Sequence, residues 1–237
     1  MKNLHFQIFK FAHSLIHSFS LSIILFALVA CHPDSKKGLI SKADNESPYA
    51  KLVSGNEHFH HLKPVHPDVD LQHLKEASKS QHPFAVIVCC SDSRVSPELI
   101  FDQGVGDLFV IRTAGNMIGS LELGSIEYAV EHLGVKLIVV MGHENCGAIK
   151  AFVEGEEAPG HIKDIIDSLK GESEIKAIPL TDKNRLEECV IANVQHGIKQ
   201  LKTQSNIIHE KLEKGELKLI GARYDLDDFT VSFTKQQ

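Results

Sequence analysis

Two short clusters in this chain of 237 residues bring together side chains that hold metal ions and act on what such ions bind. The first is "CCSDSRV", Cys89 to Val95, where an apolar run breaks off at two thiols and a carboxylate and a guanidinium follow at once. The second is "GHENCGA", Gly142 to Ala148, with His143 and Cys146 close enough in sequence to reach one ion and with Gly142 and Gly147 expected to relieve crowding. Cys90 added to that pair makes two thiolates and an imidazole. This donor set suits zinc, balances its two positive charges and leaves one coordination position open, as catalytic zinc requires. Adjacent residues of a strand point to opposite faces, so Cys89 is expected to face the packing and Cys90 the metal. Asp92 then has two available partners. It closes the zinc shell as a fourth ligand, or it pairs with Arg94 and leaves the fourth position to a water that zinc acidifies toward neutrality.

These clusters need elements to carry them. "FAVIVCC", "DLFVIRT" and "KLIVVMGH" are nearly continuous apolar runs, and strands apolar throughout are covered on both faces. The fold expected is therefore α/β, a mostly parallel central β-sheet with flanking helices. "SPELIF" reads as a helical turn opened by Ser96 and Pro97, and "SLELGSIEYAVEHLG" as a helix closed by Gly134. Upstream, "YAKLVSGNEHFHHLK" and "DLQHLKEASKSQ" are amphipathic and form an N-terminal helical arm that needs a surface to lie on. The region from His161 to Lys214 reads as mostly helical, and "ELKLIGARYDL" and "DFTVSF" as closing strands. "GVG", Gly104 to Gly106, lacks a third glycine and is a turn before a strand, not a dinucleotide fingerprint. Ligands of parallel sheets bind at the strands' carboxyl ends, and both chemical clusters directly follow strands, so they are able to converge at one end of the sheet.

The ordered set "CSDSRV", "FDQGVGDLFVIRTAGN", "GSIEYAVEHLGVKLIVVMGH" and "GHENCGA" resembles the β-class carbonic anhydrases, closely from Leu52 to about Phe152 and loosely beyond. The resemblance implies one zinc ion bound by Cys90, His143 and Cys146, with Asp92 and Arg94 as a dyad. In that dyad the carboxylate occupies the fourth zinc site in a closed form and accepts a hydrogen bond from the nucleophile in an open one. The implied reaction is reversible hydration of carbon dioxide to bicarbonate and a proton. Gln103 is carried over as a residue holding bicarbonate, and a homodimer or higher homo-oligomer is implied, with the N-terminal helix packed on the partner. Some members are inhibited by bicarbonate through a pocket that uses tryptophan; this chain has none. The ending "YDLDDFTVSF" also lacks the glycine turn often seen before the last strand. The competing reading is a non-catalytic zinc-binding lipoprotein of the same fold, its site closed by Asp92.

Lys2 and Lys10 precede an apolar stretch, Leu15 to Ala30, without acidic residues. This is the anatomy of an export signal, and "LVAC" resembles a lipobox that would make Cys31 the lipidated first residue. An uncleaved membrane anchor and a plain signal peptide are the other readings. The organisation expected is a signal peptide with lipobox over residues 1–31, a polar tether over 32–47 and the catalytic domain over 48–237. The domain would then lie outside the cytoplasm, in the periplasm, lipid-anchored to a membrane. Four cysteines remain after Cys31, so disulfides are arithmetically open, with Cys89 and Cys189 read as packed thiols. A net charge of -6 without a basic face argues against nucleic-acid binding. The chain holds 15 histidines. Those between the tether and the first strand form either a relay or metal-collecting surface or a solvated helical face.

Overall fold

The computed structural model describes residues 46–155 and 157–234. The signal segment, Cys31 and nearly all of the tether lie outside the described residues. The first helix, α1 (Pro48–His60), starts as its sequence dictates: Ser47 accepts a hydrogen bond from the Ala50 N–H, and Pro48 occupies the first turn, where its missing N–H is no loss. There follow α2 (Leu71–Ala77), β1 (Ala85–Cys90), α3 (Pro97–Ile100), β2 (Leu108–Thr113), a 3-10 turn (Ala114–Asn116), α4 (Ser120–Glu131) and β3 (Leu137–His143). The second half contains α5 (Gly147–Glu154), α6 (Ile162–Gly171), α7 (Ser173–Lys176), α8 (Arg185–Gln204), α9 (Asn206–Glu213), β4 (Lys218–Tyr224) and β5 (Val231–Phe233).

The strands form one sheet in the order β2-β1-β3-β4-β5, parallel except for β5, which pairs antiparallel with β4. Every residue of β1 and β3 is buried, which is why neither alternates in the sequence. Their pleat divides the interior. Val86, Val88, Ile138 and Val140 face α4, α8 and α9, while Ile87, Cys89, Val139 and Met141 face Leu52 of α1 and Phe101 after α3. Cys89 therefore packs, and Cys90 opens a third cluster at the strand's end with Cys146, Cys189 and Val190.

The arm is fastened by buried polar groups. Asn56 of α1 donates to the Ile100 and Phe229 carbonyls at 3.2 and 3.0 Å and accepts from the Val231 N–H at 2.8 Å. Asp102, its side chain wholly buried, accepts from the N–H groups of Val65 and His66 and bonds His58 Nδ1 at 3.1 Å. The hairpin before β5 manages without glycine: Phe229 takes φ +66°, and Asp225 accepts from the N–H groups of Asp227 and Asp228. Its left-handed backbone is held by the Asn56 bond to its carbonyl and by an edge contact of its ring with Phe59, centroids 6.2 Å apart. Among the described residues no helix is long and apolar enough to cross a membrane.

Candidate functional site

Strands β1 and β3 are neighbours, and their carboxyl ends bring Cys90 and His143 together; Cys146, the residue capping the start of α5, completes a trio. The three ligand atoms lie within 4.8 Å of one another and all three residues are buried. The two sulfurs stand 4.0 Å apart, about twice a disulfide bond length, and the four described cysteines are free thiols. His143 Nδ1 lies 2.8 Å from the Glu144 carbonyl oxygen and can only donate to it, so the neutral ring turns the lone pair of Nε2 toward the sulfurs. That Nε2 is buried with no protein partner. A buried acceptor left unsatisfied costs about 1–3 kcal/mol, and beside two thiols it is explained by a cation. The Cys146 thiol donates to Cys90, and this bond, with the N–H groups of Gly115 and Asp92, pulls the Cys90 thiol well below its ordinary range despite burial. The same bond pushes Cys146 up. Soft thiolates, an imidazole and a compact geometry fit zinc.

Asp92 and Arg94 stand beside this trio and grip each other. Asp92 Oδ1 accepts from the backbone N–H and Nε of Arg94 at 2.9 and 3.0 Å, and Oδ2 accepts from Nη2 at 2.8 Å. The guanidinium holds the Asp92 carboxyl down to about 2. Asp92 Oδ2 is 3.9 Å from His143 Nε2, so the carboxylate lies next to the metal-binding atoms while bonded to arginine.

The structure also brings in residues that spacing did not reveal. Arg112, at the end of β2, donates from Nε to the Cys90 carbonyl at 3.1 Å and from Nη2 to the Asp92 carbonyl at 2.7 Å, fixing the loop that carries the dyad. Gly115 donates its N–H to Cys90 Sγ at 3.3 Å, and its carbonyl accepts from Asn193 of α8 at 2.7 Å. A lone polar residue on the apolar stripe of α8 is the one signal that could have pointed to Asn193. The two glycines of "GHENCGA" differ. A Cβ on Gly142 would stand 2.8 Å from a Val194 methyl, whereas one on Gly147 would meet nothing within 4 Å, so crowding explains the first and not the second.

Gln103 makes its hydrogen bonds outside this group. Its amide donates to the carbonyls of Phe101 and Asp102, in the turn against which α1 packs, and no hydrogen bond joins it to the dyad or the trio. The histidines upstream of β1 are engaged one by one. His58 and His66 lie on Asp102, His60 on the Asp228 carbonyl, His73 on the Val105 carbonyl and His82 on Ser80. This is the pattern of local fastening on a solvated face.

Comparison with known proteins agrees with the geometry. A family profile described as carbonic anhydrase matches residues 85–231. Carbonic anhydrase 2 of Mycobacterium tuberculosis is 39% identical over 191 residues, covering 78% of this chain and 91% of its own length. The carbonic anhydrase of Mycolicibacterium smegmatis is 39% identical over 194 residues, covering 78% and 92%. Among solved structures, the β-carbonic anhydrase CcaA superposes with a TM-score of 0.63 at 30% identity, over 77% of this chain and 86% of that one. A tetrameric β-carbonic anhydrase of Sordaria macrospora gives 0.62 at 27% identity, over 77% and 94%.

Proposed function

The chain belongs to the β-class carbonic anhydrases, and from that membership we infer that it hydrates carbon dioxide reversibly to bicarbonate and a proton with zinc as cofactor. The observation that carries this reading is the buried trio Cys90, His143 and Cys146, with an imidazole nitrogen left without a protein partner between two thiols. When bound there, zinc supplies the Lewis acidity that makes hydroxide from water near neutral pH, a pKa drop known from the three-histidine carbonic anhydrases. The purified protein should hold one zinc per chain and hydrate carbon dioxide in a stopped-flow assay, and Cys90→Ser should abolish both. Full activity in the metal-free protein would overturn the assignment.

The roles of the remaining residues are our proposal. Asp92, kept anionic by Arg94, is placed to accept a hydrogen bond from the O–H of the nucleophile and so to aim it at the carbon of the substrate. Arg112, by holding the carbonyls of Cys90 and Asp92, sets the angle of that loop. The bidentate grip of Arg94 on Asp92 favours the open arrangement over permanent closure by the carboxylate, and therefore an enzyme over a non-catalytic zinc protein. A protein with one zinc per chain and no turnover even at alkaline pH, where hydroxide competes best, would reverse that preference.

We also propose that the protein works as a homo-oligomer. A relative is a tetramer by its description, and Leu62, Val65, Val69 and Leu71, along the arm, are exposed apolar side chains. A monomer by sedimentation at working concentration would count against this. Lipid attachment at Cys31 and export rest on the signal-like residues 1–31 alone. They predict that Cys31→Ala shifts the protein from the membrane to the soluble fraction.

A further inference from the structure

We propose that Asn193 is a positioning residue for the zinc site, acting through Gly115, whose carbonyl and N–H belong to the two peptide groups that meet at its Cα, to aim an N–H at the Cys90 thiolate. This rests on the zinc reading above. The relay has two buried bonds: Asn193 Nδ2 donates to the Gly115 carbonyl at 2.7 Å, and the Gly115 N–H donates to Cys90 Sγ at 3.3 Å. One peptide-bearing residue thus has its carbonyl held from one side while its N–H serves the metal ligand on the other.

The permissive backbone of Gly115 leaves this orientation to be fixed by its surroundings. Gly115 has φ +68° and ψ +25°, a left-handed conformation in the middle of the turn Ala114–Asn116, and a Cβ there would stand 3.1 Å from that of Ala148. Asn116 follows with φ +47°. Glycine takes this region freely and asparagine more readily than most residues, so the turn's direction is set by the contacts around it. The Asn193 bond and the bond from Thr113 Oγ1 to the Met117 carbonyl at 2.7 Å supply that fixing. Asn193 itself is 3% exposed on a face of α8 whose neighbours are Cys189, Val190, Val194 and Gly197. An amide in that stripe is destabilising unless bonded, and the structure gives it the Gly115 carbonyl as its acceptor.

An N–H bonded to a metal thiolate draws charge from the sulfur, and it fixes the direction of the sulfur's lone pairs. Groups in this outer position typically change metal affinity or activity by about 10- to 100-fold when removed. Asn193→Leu keeps the branched shape and the number of side-chain heavy atoms, adds no charge and removes the donor. In the full-length protein this variant should bind zinc about tenfold or more weakly in a chelator competition. In its cobalt-substituted form the sulfur-to-metal charge-transfer band should move to longer wavelength, because the thiolate has lost its hydrogen bond. A merely structural role would lower the melting temperature and leave the band where it is. Wild-type affinity with an unmoved band overturns the inference, and a wild-type protein that binds no zinc overturns the zinc reading instead. Should Asn193→Leu fail to fold, the wild-type protein loaded with ¹¹³Cd decides. The Gly115 amide proton should show scalar coupling to the metal through the sulfur, and a resolved Gly115 signal without coupling overturns the proposal.

Discussion

On the proposed reading the chemistry turns on Asp92, and its partner Arg94 holds it as the anion. With its carboxyl held down to about 2, the group is ionised throughout any working range. The sign follows from the shift. The folded carboxyl is depressed, so the favourable contribution of the pair is present above the ordinary carboxylate range and is lost as pH falls through about 2. An activity that switches on near neutrality therefore cannot be the titration of Asp92 and must report on what competes with it. Arg94→Ala should release the carboxylate toward the metal, lowering turnover at neutral pH by about tenfold or more and moving the onset of activity to higher pH. A stopped-flow pH profile checks this, and an unmoved onset would refute it. Arg94→Lys keeps the charge and loses the fork, so it should fall between the two. That Cys90, His143 and Cys146 meet, with the Asp92–Arg94 pair beside them, was legible because such groups declare themselves by type and by nearness along the chain. Arg112 and Asn193 were not. Each works through a backbone carbonyl far off in sequence, Arg112 20 positions from Asp92 and Asn193 78 from Gly115. Nothing in an ordinary strand or helix pattern marks such a contact.

At the level of elements, the helical arm is held by Asn56 as well as by its apolar face. This amide bridges α1 to the turn after α3 and to the hairpin before β5. Asn56→Ala would leave the Val231 N–H and two carbonyls without their partner and cost about 2–4 kcal/mol, lowering the melting temperature by several degrees; calorimetry measures it. Phe229 should suffer most, since its left-handed backbone loses the bond that holds it. Gly55 adds a steric condition to the same docking. A Cβ there would lie 1.7 Å from the Phe101 carbonyl oxygen, so the helix and the turn after α3 touch backbone to backbone. The strands and most helices were readable from apolar runs and periodicity. The hairpin was not, because the expected glycine is replaced by Phe229 and by aspartates that cap N–H groups of the turn. Such a device leaves only an acidic stretch, "YDLDD", as its trace.

For the whole molecule the conspicuous tension is Glu172, which joins α6 to α7. It is 1% exposed and neither carboxylate oxygen has a partner among the described residues. Burial, aided by the charge of Glu174, pushes its carboxyl up to about 8. The folded protein thus holds a proton that the unfolded chain has released, and stability declines as pH rises from about 4.5 through about 8. The full penalty is on the order of a few kcal/mol. Glu172→Gln cannot ionise and should flatten that decline, with the largest gain in melting temperature above pH 8. Equal slopes for the two proteins would show that the group is wetter than its packing indicates.

The bonds from Asn56 to Phe229 and Val231 span 173 and 175 positions, nearly the length of the domain. During synthesis α1 emerges well before β5, so of the groups that Asn56 bonds only the Ile100 carbonyl is made soon after it. Closing so long a loop carries an entropic penalty that local contacts do not offset, so the arm docks late. The nascent chain therefore carries an amphipathic helix whose seat, begun by the turn after α3, stays incomplete until β5 has formed.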